Sequence, residues 1–584
     1  MLTGDSLQRL PGVELDDRLL IIPGFQLFRR SNSIVANPTT QGVSLRGLGS
    51  TGASRTLVLW DGIPMNDPFG GWIYWTRLDP DEMQRVEVTP SASTSVFGDR
   101  AMGGLVALFS NAAKGDSYLQ YDHGSYNEQD LRTGFSESLR HWAASADVRM
   151  FTSDGYYIIP ANLRGSVDQP AGVDDVAGNL RVDYFKNSQR LFLRLDIVAE
   201  HRNNGTVDQK NATGLGTIAA NYARTFGNNQ ISALGWYTQE AFRATFSSVS
   251  ANRNFEKITD RQTVPAKGGG GAAYWTYTHR HWKVLAGADA EHDEGFSTDR
   301  LLSGTVVRGG HQTESGGFAQ GQFTAGPVGL FGGLRGDVPG TGGGILSPSG
   351  GFALGHHRLR LQGSVWRSFR APTLNELYRP FQVGSVLTEA NPSLIPERLF
   401  GSEIGAAFVG EKTRITLNLF RDSLDNLIGN ATLGQTGSTI LRERENGPPA
   451  ISRGIEAGVS RTWRQWQGQL SYLFVDSHYD ATGLRIPEVA KNQGSAQLSY
   501  VKGDLSLSAS VRSYSSQFDD DVNHFLLPGF ASLAAGGKER ISKSVWAIAE
   551  IENMLNHEYY VGLTPLPTIG APRLWRIGLR WEQH

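Results

Sequence analysis

The chain has 584 residues, a formal net charge of −2, 70 glycines, 10% aromatic residues and no cysteine. The lack of cysteine excludes disulfides, thiolate metal sites and a cysteine nucleophile, and the near-zero charge gives no electrostatic basis for binding nucleic acid. Mean hydropathy is −0.30 and no run of 18 apolar residues occurs, which excludes a helical membrane span but leaves open strands with every second residue apolar.

Residues 1–114 read as a small domain of mixed α/β structure. Short apolar runs such as Leu57 to Leu59, Val86 to Val88 and Leu105 to Phe109 alternate with turns rich in Gly and Pro. The first residues, Met1 to Asp5, have neither the basic start nor the apolar core of a signal peptide. We therefore expect the sequence to be truncated at its N-terminus or to begin at a late start codon.

From residue 115 to 584, apolar and polar residues alternate with a period of two. Leu191, Leu193, Leu195 and Ile197 alternate with Phe192, Arg194 and Asp196, and similar runs recur at 414–419, 505–512 and 545–551. An apolar outer face with a charged inner face is typical of a wide barrel in lipid. The alternative is a soluble sandwich or propeller with the apolar face turned inward.

Chain length favours the barrel. At about 20 residues for each strand and its share of loop, residues 115–584 supply about 22 antiparallel strands. A barrel that wide needs its lumen plugged, and the first 114 residues have a suitable size. Irregular stretches predict long loops at 200–229, 248–271, 298–316, 337–350, 372–398, 422–449, 478–491 and 515–528.

Several motifs together resemble the plug and barrel of TonB-dependent outer-membrane receptors. In the first domain they are Leu45-Arg46-Gly47, Leu57 to Pro64 and Phe97 to Gly104; in the second they are Ser368 to Tyr378, Asn391-Pro392 and Pro396-Glu397. The resemblance implies a membrane β-barrel of 22 strands with the mixed α/β plug inside its lumen. The segment that contacts TonB precedes the plug in this family, and no such motif lies within the sequence.

The resemblance also implies a latch between plug and barrel. The matching arginine of the family pairs with glutamates of the wall, for which Glu403 and Glu456 are the candidates beside Arg46. The family's second arginine, in an Arg-Gly-Pro segment, is replaced here by Pro90. We therefore expect a reduced latch of Arg46, Glu403 and Glu456. Taken alone, Leu45-Arg46-Gly47 would more often be an ordinary turn.

An aromatic segment follows the turn at Asp61 to Pro64. The family places it at the apex of the plug, facing the external vestibule, so Phe69, Trp72, Tyr74 and Trp75 are candidate substrate contacts. Aromatic faces bind planar or cationic ligands at little entropic cost. The alternative, that these rings pack against the barrel wall, is equally compatible with the sequence.

The function that the resemblance implies is import of a scarce, bulky nutrient, such as an iron–siderophore complex or cobalamin. The expected partners are the inner-membrane TonB complex, outer-membrane lipid and the nutrient, with the chain a monomer in the cell outer membrane. We expect no catalytic site, cofactor or metal, because no nucleophile elbow, nucleotide loop or metal-ligand spacing occurs. A passive or surface-binding barrel and a barrel enzyme remain as alternatives.

Overall fold

The computed structural model describes residues 2–49, 51–91, 94–113, 115–383, 386–436 and 439–583. The first domain contains a five-stranded mixed sheet, in the spatial order Leu2–Thr3, Met83–Thr89, Leu105–Ser110, Leu57–Trp60 and Ile63–Pro64. Only the pair of Leu57–Trp60 with Leu105–Ser110 is parallel. A second ribbon pairs Gln26–Leu27 with Val43–Ser44.

The helices of this domain are short. They are the α-helices Gly4–Leu7, Leu15–Leu19 and Thr94–Phe97 and the 3-10 turns Ser33–Val35, Pro38–Thr40, Trp75–Arg77 and Pro80–Glu82. Aliphatic and aromatic side chains from the helices and the sheet form one core, which reaches the wall residues Phe192 and Ala219. Among the described residues, no helix is both long and apolar enough to cross a membrane.

The second domain is a closed barrel of 22 antiparallel strands, and the last strand pairs with the first. In chain order these wall strands are Ser117–Gly124, Glu128–Leu139, Trp142–Tyr156, Ala171–Lys186, Gln189–Asn203, Lys210–Phe226, Asn229–Val249, Glu256–His279, Trp282–Leu301, Gly304–Ala325, Val328–Val338, Ile345–His356, Leu359–Arg370, Glu397–Val409, Thr413–Asp425, Ala450–Trp463, Trp466–Tyr479, Asn492–Lys502, Leu505–Tyr514, Phe530–Ser542, Val545–Glu552 and Leu574–Gln583. The predicted fold class, a 22-stranded barrel with an N-terminal mixed plug, is confirmed.

The two faces of the wall differ as the alternation predicts. Leu193, Leu195 and Ile197 are 44–55% exposed on the outside, whereas the intervening Arg194 and Asp196 are 2% exposed on the inside. Exposed apolar side chains on this scale are stable next to lipid and costly in water. The soluble sandwich with an apolar interior is thereby excluded.

Four of the predicted loops are wrong. Most of 200–229, 248–271, 298–316 and 337–350 lies in wall strands, including Lys210–Phe226 and Glu256–His279. These stretches are rich in Gly and polar residues, so they lack clear alternation. Their backbones nevertheless pair with a strand on each side. A wall strand that extends beyond the lipid needs no apolar outer face, so clear alternation is not required there.

The wall strands are joined at one end, the turn end, by short turns such as Arg140-His141, and at the other, the loop end, by longer segments. The loops contain their own structure: the helix Leu374–Tyr378, the 3-10 turns Ser125–Asn127 and Ala161–Leu163, a sheet of Phe381–Val383, Val386–Glu389, Thr439–Asn446 and Ile428–Thr436, and the ribbons Gln517–Phe518 with Leu526–Leu527 and Tyr560–Gly562 with Thr568–Ile569.

Candidate functional site: a cavity above a plug anchored by ion pairs

A cavity of about 580 Å³ lies at the loop end, between the plug and the loops. The plug forms its floor and several loops form its sides, with lining residues in 28–40, 48–55, 427–448, 479–488, 519–522 and 561–568. Its volume falls within the range of about 300 to 1,000 Å³ that is usual for small-molecule sites. This cavity, called the vestibule below, is a candidate binding site.

Acidic side chains of the vestibule hold loops to one another. Asp519 accepts the backbone N–H groups of Leu563 and Thr564 at 2.9 and 2.8 Å. Asp521 accepts the backbone N–H and the hydroxyl of Thr432 at 3.0 and 2.8 Å. These carboxylates keep their charge, but their oxygen atoms are occupied by loop groups and are therefore not free to bind a ligand.

Two further acids of the vestibule are also engaged or neutralised. Asp520 accepts the N–H groups of His524 and Phe525 within its own loop, at 3.1 and 2.9 Å. Burial, together with the charge of Asp519, raises the pKa of Glu488 well above its ordinary value of 4.5. A raised pKa favours the uncharged carboxyl, which then supplies no counter-charge to nearby arginines.

Two arginines of the vestibule have spare donors. Nη2 of Arg30, on the plug, and Nε of Arg442, on the loop sheet, are buried without a hydrogen-bond partner among the described residues. Nη1 of Arg30 donates only to backbone carbonyls, the nearer being that of Tyr560 at 3.3 Å. Guanidinium donors of this kind match anionic oxygen atoms of a ligand.

The four aromatic residues predicted to contact substrate do not line this cavity. Phe69, Trp72, Tyr74 and Trp75 are each 1% exposed. The first three pack against the wall, and the Tyr74 hydroxyl donates to Glu240, a wall residue. A ligand in the vestibule cannot touch them in this state.

A loop helix explains why this segment is covered. The N–H of Asn375, in helix Leu374–Tyr378, donates to the carbonyl of Phe69 at 2.8 Å. Leu374 joins the same apolar cluster as Phe69 and Trp72. Trp75 points elsewhere, into the plug core, where it meets Phe25 edge-on with ring centroids 6.1 Å apart. Wall packing, the alternative from the sequence, is what the structure shows.

The three residues predicted as a latch meet. Arg46 donates to Glu456 through Nε and Nη2 at 3.0 and 2.8 Å, and to Glu403 through Nη1 at 2.7 Å. Its side chain is 3% exposed and lies over the ring of Phe420. Burial alone would lower the pKa of Arg46, but the two carboxylates outweigh it and raise that pKa. The cation is therefore stable where it lies.

Local backbone geometry directs Arg46 to the wall. Arg46 and Gly47 both have positive φ, 51° and 68°, and a Cβ on Gly47 would lie 2.8 Å from the side chain of Val475. The hydroxyls of Ser452 and Ser477 donate to the carbonyls of Arg46 and Gly47 at 2.9 and 2.7 Å. Only glycine fits such a left-handed position against a neighbouring strand.

A second ionic centre lies beside the first and was missed in the sequence. Glu397, fully buried, accepts Arg55 of the plug and Arg370 of the wall, each at 2.6 Å. Arg370 continues to Glu376 of the loop helix at 2.9 and 3.0 Å. The centre thus joins plug, wall and loop. Three of its residues, Arg370, Glu376 and Glu397, lie in the motifs quoted above. Their charges beside apolar residues of those motifs could have indicated a buried ionic centre.

Further ion pairs join plug and wall around much of the barrel. They are Arg100 with Glu291 and Asp293, Arg181 with Asp61, Arg132 with Asp79 and Asp81, Arg580 with Asp81, and Glu14 with Arg149. Within the described parts of the chain, no group of three or more His, Asp or Glu side chains is placed to hold a metal ion.

Comparison with known proteins agrees with this architecture. One relative is the vitamin B12 transporter BtuB of Vibrio vulnificus (strain YJ016), 21% identical over 451 residues, which are 74% of this chain and 66% of the relative. The chain thus spans just under two thirds of that relative.

Solved structures share the fold over the whole chain. The copper transporter OprC superposes with a TM-score of 0.83 at 16% identity, and the siderophore receptor PirA of Acinetobacter baumannii with 0.79 at 15%; each match covers 100% of this chain and 98% of the other. Identity at this level establishes the fold alone.

Family profiles match nearly the whole sequence. The TonB-dependent Receptor Plug Domain matches residues 1–105, and the TonB dependent receptor-like β-barrel matches residues 109–551. The barrel profile by itself spans more than half of the chain, so this chain belongs to the TonB-dependent receptor family.

Proposed function

We propose that the chain is an importer of the cell outer membrane that takes up a scarce, bulky nutrient and catalyses no covalent chemistry. The observation that carries the proposal is the vestibule of about 580 Å³ above a plug that fills the barrel. A ligand bound there can reach the turn end only if the plug moves. A receptor that closes its own pore needs an external source of work.

The proposed source of work is the inner-membrane TonB complex acting on the plug, as family membership implies. The apolar outer face of the wall supports contact with outer-membrane lipid. The closed barrel leaves no unpaired strand edge for a second copy, which supports a monomer. Arg46, Glu403 and Glu456 are proposed as a latch that keeps the plug in place between import events.

The vestibule supports a ligand with anionic oxygen atoms, because Arg30 and Arg442 have free donors while Asp519 to Asp521 are engaged. Relatives are named for vitamin B12, for siderophores and for copper. We propose an iron–siderophore complex or cobalamin as the nutrient, and a ferric siderophore as the first probe.

The test is uptake by cells that express the receptor from its complete gene. Labelled ferric siderophores and labelled cobalamin are compared with and without functional TonB. Uptake that disappears without TonB supports the proposal, whereas permeation indifferent to TonB would indicate a passive barrel. Arg30→Gln with Arg442→Gln should weaken ligand binding at least about tenfold, with the lipid-facing Arg421→Gln as the matched control.

A further inference from the structure

Five basic side chains lie together on the outer face of the wall, near the loop end. They are exposed and project outward from four consecutive strands: Lys210, Arg243, Lys257, Arg261 and Arg300. Their neighbours along each strand, such as Gln262 and Asp299, are buried on the inner face. The outer face therefore carries a patch of positive charge, formed by these five residues and here called the basic ladder, although the net charge of the chain is −2.

The strand register places these cations next to one another. Arg261 lies directly opposite Arg300. Arg243 lies opposite Thr263, which makes it the diagonal neighbour of Arg261. Like charges directly opposite on paired strands destabilise a sheet, and diagonal neighbours are only about 7 to 8 Å apart. An anion bound between these side chains would relieve the repulsion.

The protein itself supplies no such anion among its described residues. None of the five side chains takes part in an ion pair, and the nearby Glu294 is paired with Lys267 at 3.0 Å. Of the other acids on these strands, Glu240, Asp293 and Asp299 are buried on the inner face. Asp289 and Glu291 pair with Arg335 and Arg100, Glu256 accepts the hydroxyls of Thr206 and Ser247, and Oδ1 of Asp260 is buried. Exposed guanidinium groups without partners are free to bind phosphate through paired donors.

The ladder lies at the level of lipid headgroups. Below it the outer face is apolar, with Ile218, Tyr237 and Trp282 exposed by 59, 46 and 54%. A strand tilted by about 40° climbs about 2.5 Å per residue. Arg261 and Arg300 therefore lie about 45 Å above the turn end, beyond an apolar band about 25 Å tall and near the outer limit of a bilayer with its headgroups.

We propose that the basic ladder binds the phosphate groups of glycolipid headgroups in the outer leaflet. The proposal rests on the outer-membrane location given above and adds a specific lipid site to it. A lipid is the partner that fits, because the ladder is continuous with the lipid-facing wall and is turned away from the vestibule. Bound phosphates would offset the repulsion between Arg261 and Arg300 and hold the long strands Asn229–Val249 and Glu256–His279 at the membrane surface.

A matched control lies elsewhere on the wall. Arg398, Arg421 and Arg453 are also exposed and outward-facing near the loop end, and Arg421 lies opposite Arg453. There, however, Asp425 lies opposite Arg398, and Asp476 pairs with Arg453 at 3.4 Å. Since this second group carries its own counter-charge, it should have little affinity for phosphate.

The experiment measures binding of bis-phosphorylated lipid A, and of the same lipid without phosphates, to the purified receptor in detergent by native mass spectrometry. The variants are the triple Arg243→Gln, Arg261→Gln, Arg300→Gln and the control triple Arg398→Gln, Arg421→Gln, Arg453→Gln. We expect the ladder variant to bind the phosphorylated lipid at least about tenfold more weakly than wild type does. The control variant should bind it within about twofold of wild type. The lipid without phosphates should bind weakly, and equally, to all three proteins.

Equal binding by wild type and ladder variant, equal loss in both triples, or equal binding of the two lipids would overturn the proposal. The heat-induced mobility shift of the barrel confirms that each variant is folded. Because lipid binding is read on the purified receptor, it does not depend on uptake. Failure of the lipid site and failure of the importer proposal are therefore separate results.

Discussion

The plug meets the barrel wall through different contacts on two sides. On one, the ion-paired side, buried pairs such as Arg46 with Glu456 and Arg55 with Glu397 cross the interface. On the other, called the neutral side, plug residues 8, 9, 20 and 24 contact the strands Asn492–Lys502, Leu505–Tyr514 and Phe530–Ser542. Glu14 of the same segment points to a different strand, where it pairs with Arg149. Among the described residues, no ion pair joins the plug to these three strands.

The contacts of the neutral side are single hydrogen bonds. Gln493 accepts the N–H of Gly24 at 3.0 Å, Lys538 donates to Gln8 at 2.9 Å, and Ser508 donates to the carbonyl of Arg9. Each contributes about 1 kcal/mol and can be exchanged for water, whereas breaking a buried ion pair costs about 3 to 5 kcal/mol. The plug therefore separates from the wall at lower cost on the neutral side.

The largest expected effect comes from tying each side to the wall. A Cβ on Gly536 would lie 3.5 Å from Cγ of Pro11 on the neutral side, and one on Gly268 would lie 2.6 Å from Cβ of Pro68 on the ion-paired side. The first pair comes within disulfide range after a small shift. In the second, the new Cβ would also overlap Oδ1 of Asp293, so that side chain must turn away for the disulfide to form. The chain has no other cysteine. Pro11→Cys with Gly536→Cys, and Pro68→Cys with Gly268→Cys, should each abolish uptake but spare binding.

Reductant is the control for both disulfides, since it should restore uptake to that of the corresponding single variants. Uptake that persists with one disulfide intact would mean that this side stays in place during import. Such a result would divide the plug into a moving part and a stationary part.

Glu397→Ala should give the largest loss of stability. It strands the Arg55 cation, which is 3% exposed, and leaves Arg370 with Glu376 alone, at a cost of about 3 to 5 kcal/mol. Urea unfolding of the barrel in detergent measures this cost. Ser508→Ala, on the neutral side, is the matched control and should cost about 1 kcal/mol. Equal losses in the two variants would remove the distinction between the sides.

Glu403→Gln with Glu456→Gln tests the proposed latch. The two amides keep the shape of the site but deprive the Arg46 cation, 3% exposed, of the two carboxylates bonded to it. We expect about 3 kcal/mol of destabilisation and increased entry of a bulky antibiotic, measured as a lower inhibitory concentration. Adding Arg46→Met should recover part of the stability. If the double variant is destabilised but the antibiotic enters no faster than in wild type, these residues do not act as a latch.

The smallest expected effect is a pH dependence of the plug segment 8–24. Burial, and then the charge of Asp17, raises the pKa of Asp16 from 3.8 to about 8, although Arg29 opposes the shift. Between about pH 4 and pH 8 the folded state keeps a proton that the unfolded state releases, so stability falls as pH rises through this window. Hydrogen exchange of residues 8–24 should be faster at pH 8.5 than at pH 5.5, beyond the intrinsic base catalysis.

Asp16→Asn should remove this pH dependence and leave the exchange of residues around Arg46 unaffected. A wild-type segment whose corrected exchange is the same at both pH values would show that Asp16 is already ionised in the folded state.

Some site residues were predicted from the sequence and others were missed or misplaced, and the difference shows why the site was only partly predictable. Arg46 and its glutamates were named because a family motif marks them, and Arg55 with Glu397 was missed because no motif assigned a partner to either residue. Trp72 and Tyr74 were placed at the vestibule by analogy, but helix Leu374–Tyr378 covers their segment. The covering helix lies about 300 residues away in the chain, beyond the reach of any local pattern.

The sequence by itself indicated the barrel, its plug and its membrane-facing surface, because strand alternation recurs along the chain, the chain length suits 22 strands, and the family motifs mark both domains. Only the tertiary structure decided which charges meet. Packing of the plug inside the barrel brings Arg55 to Glu397, the register of one hairpin places Arg261 opposite Arg300, and Asp519 and Asp521 hold loops together. Pairings of this kind depend on register and on contacts between distant segments, neither of which periodicity specifies.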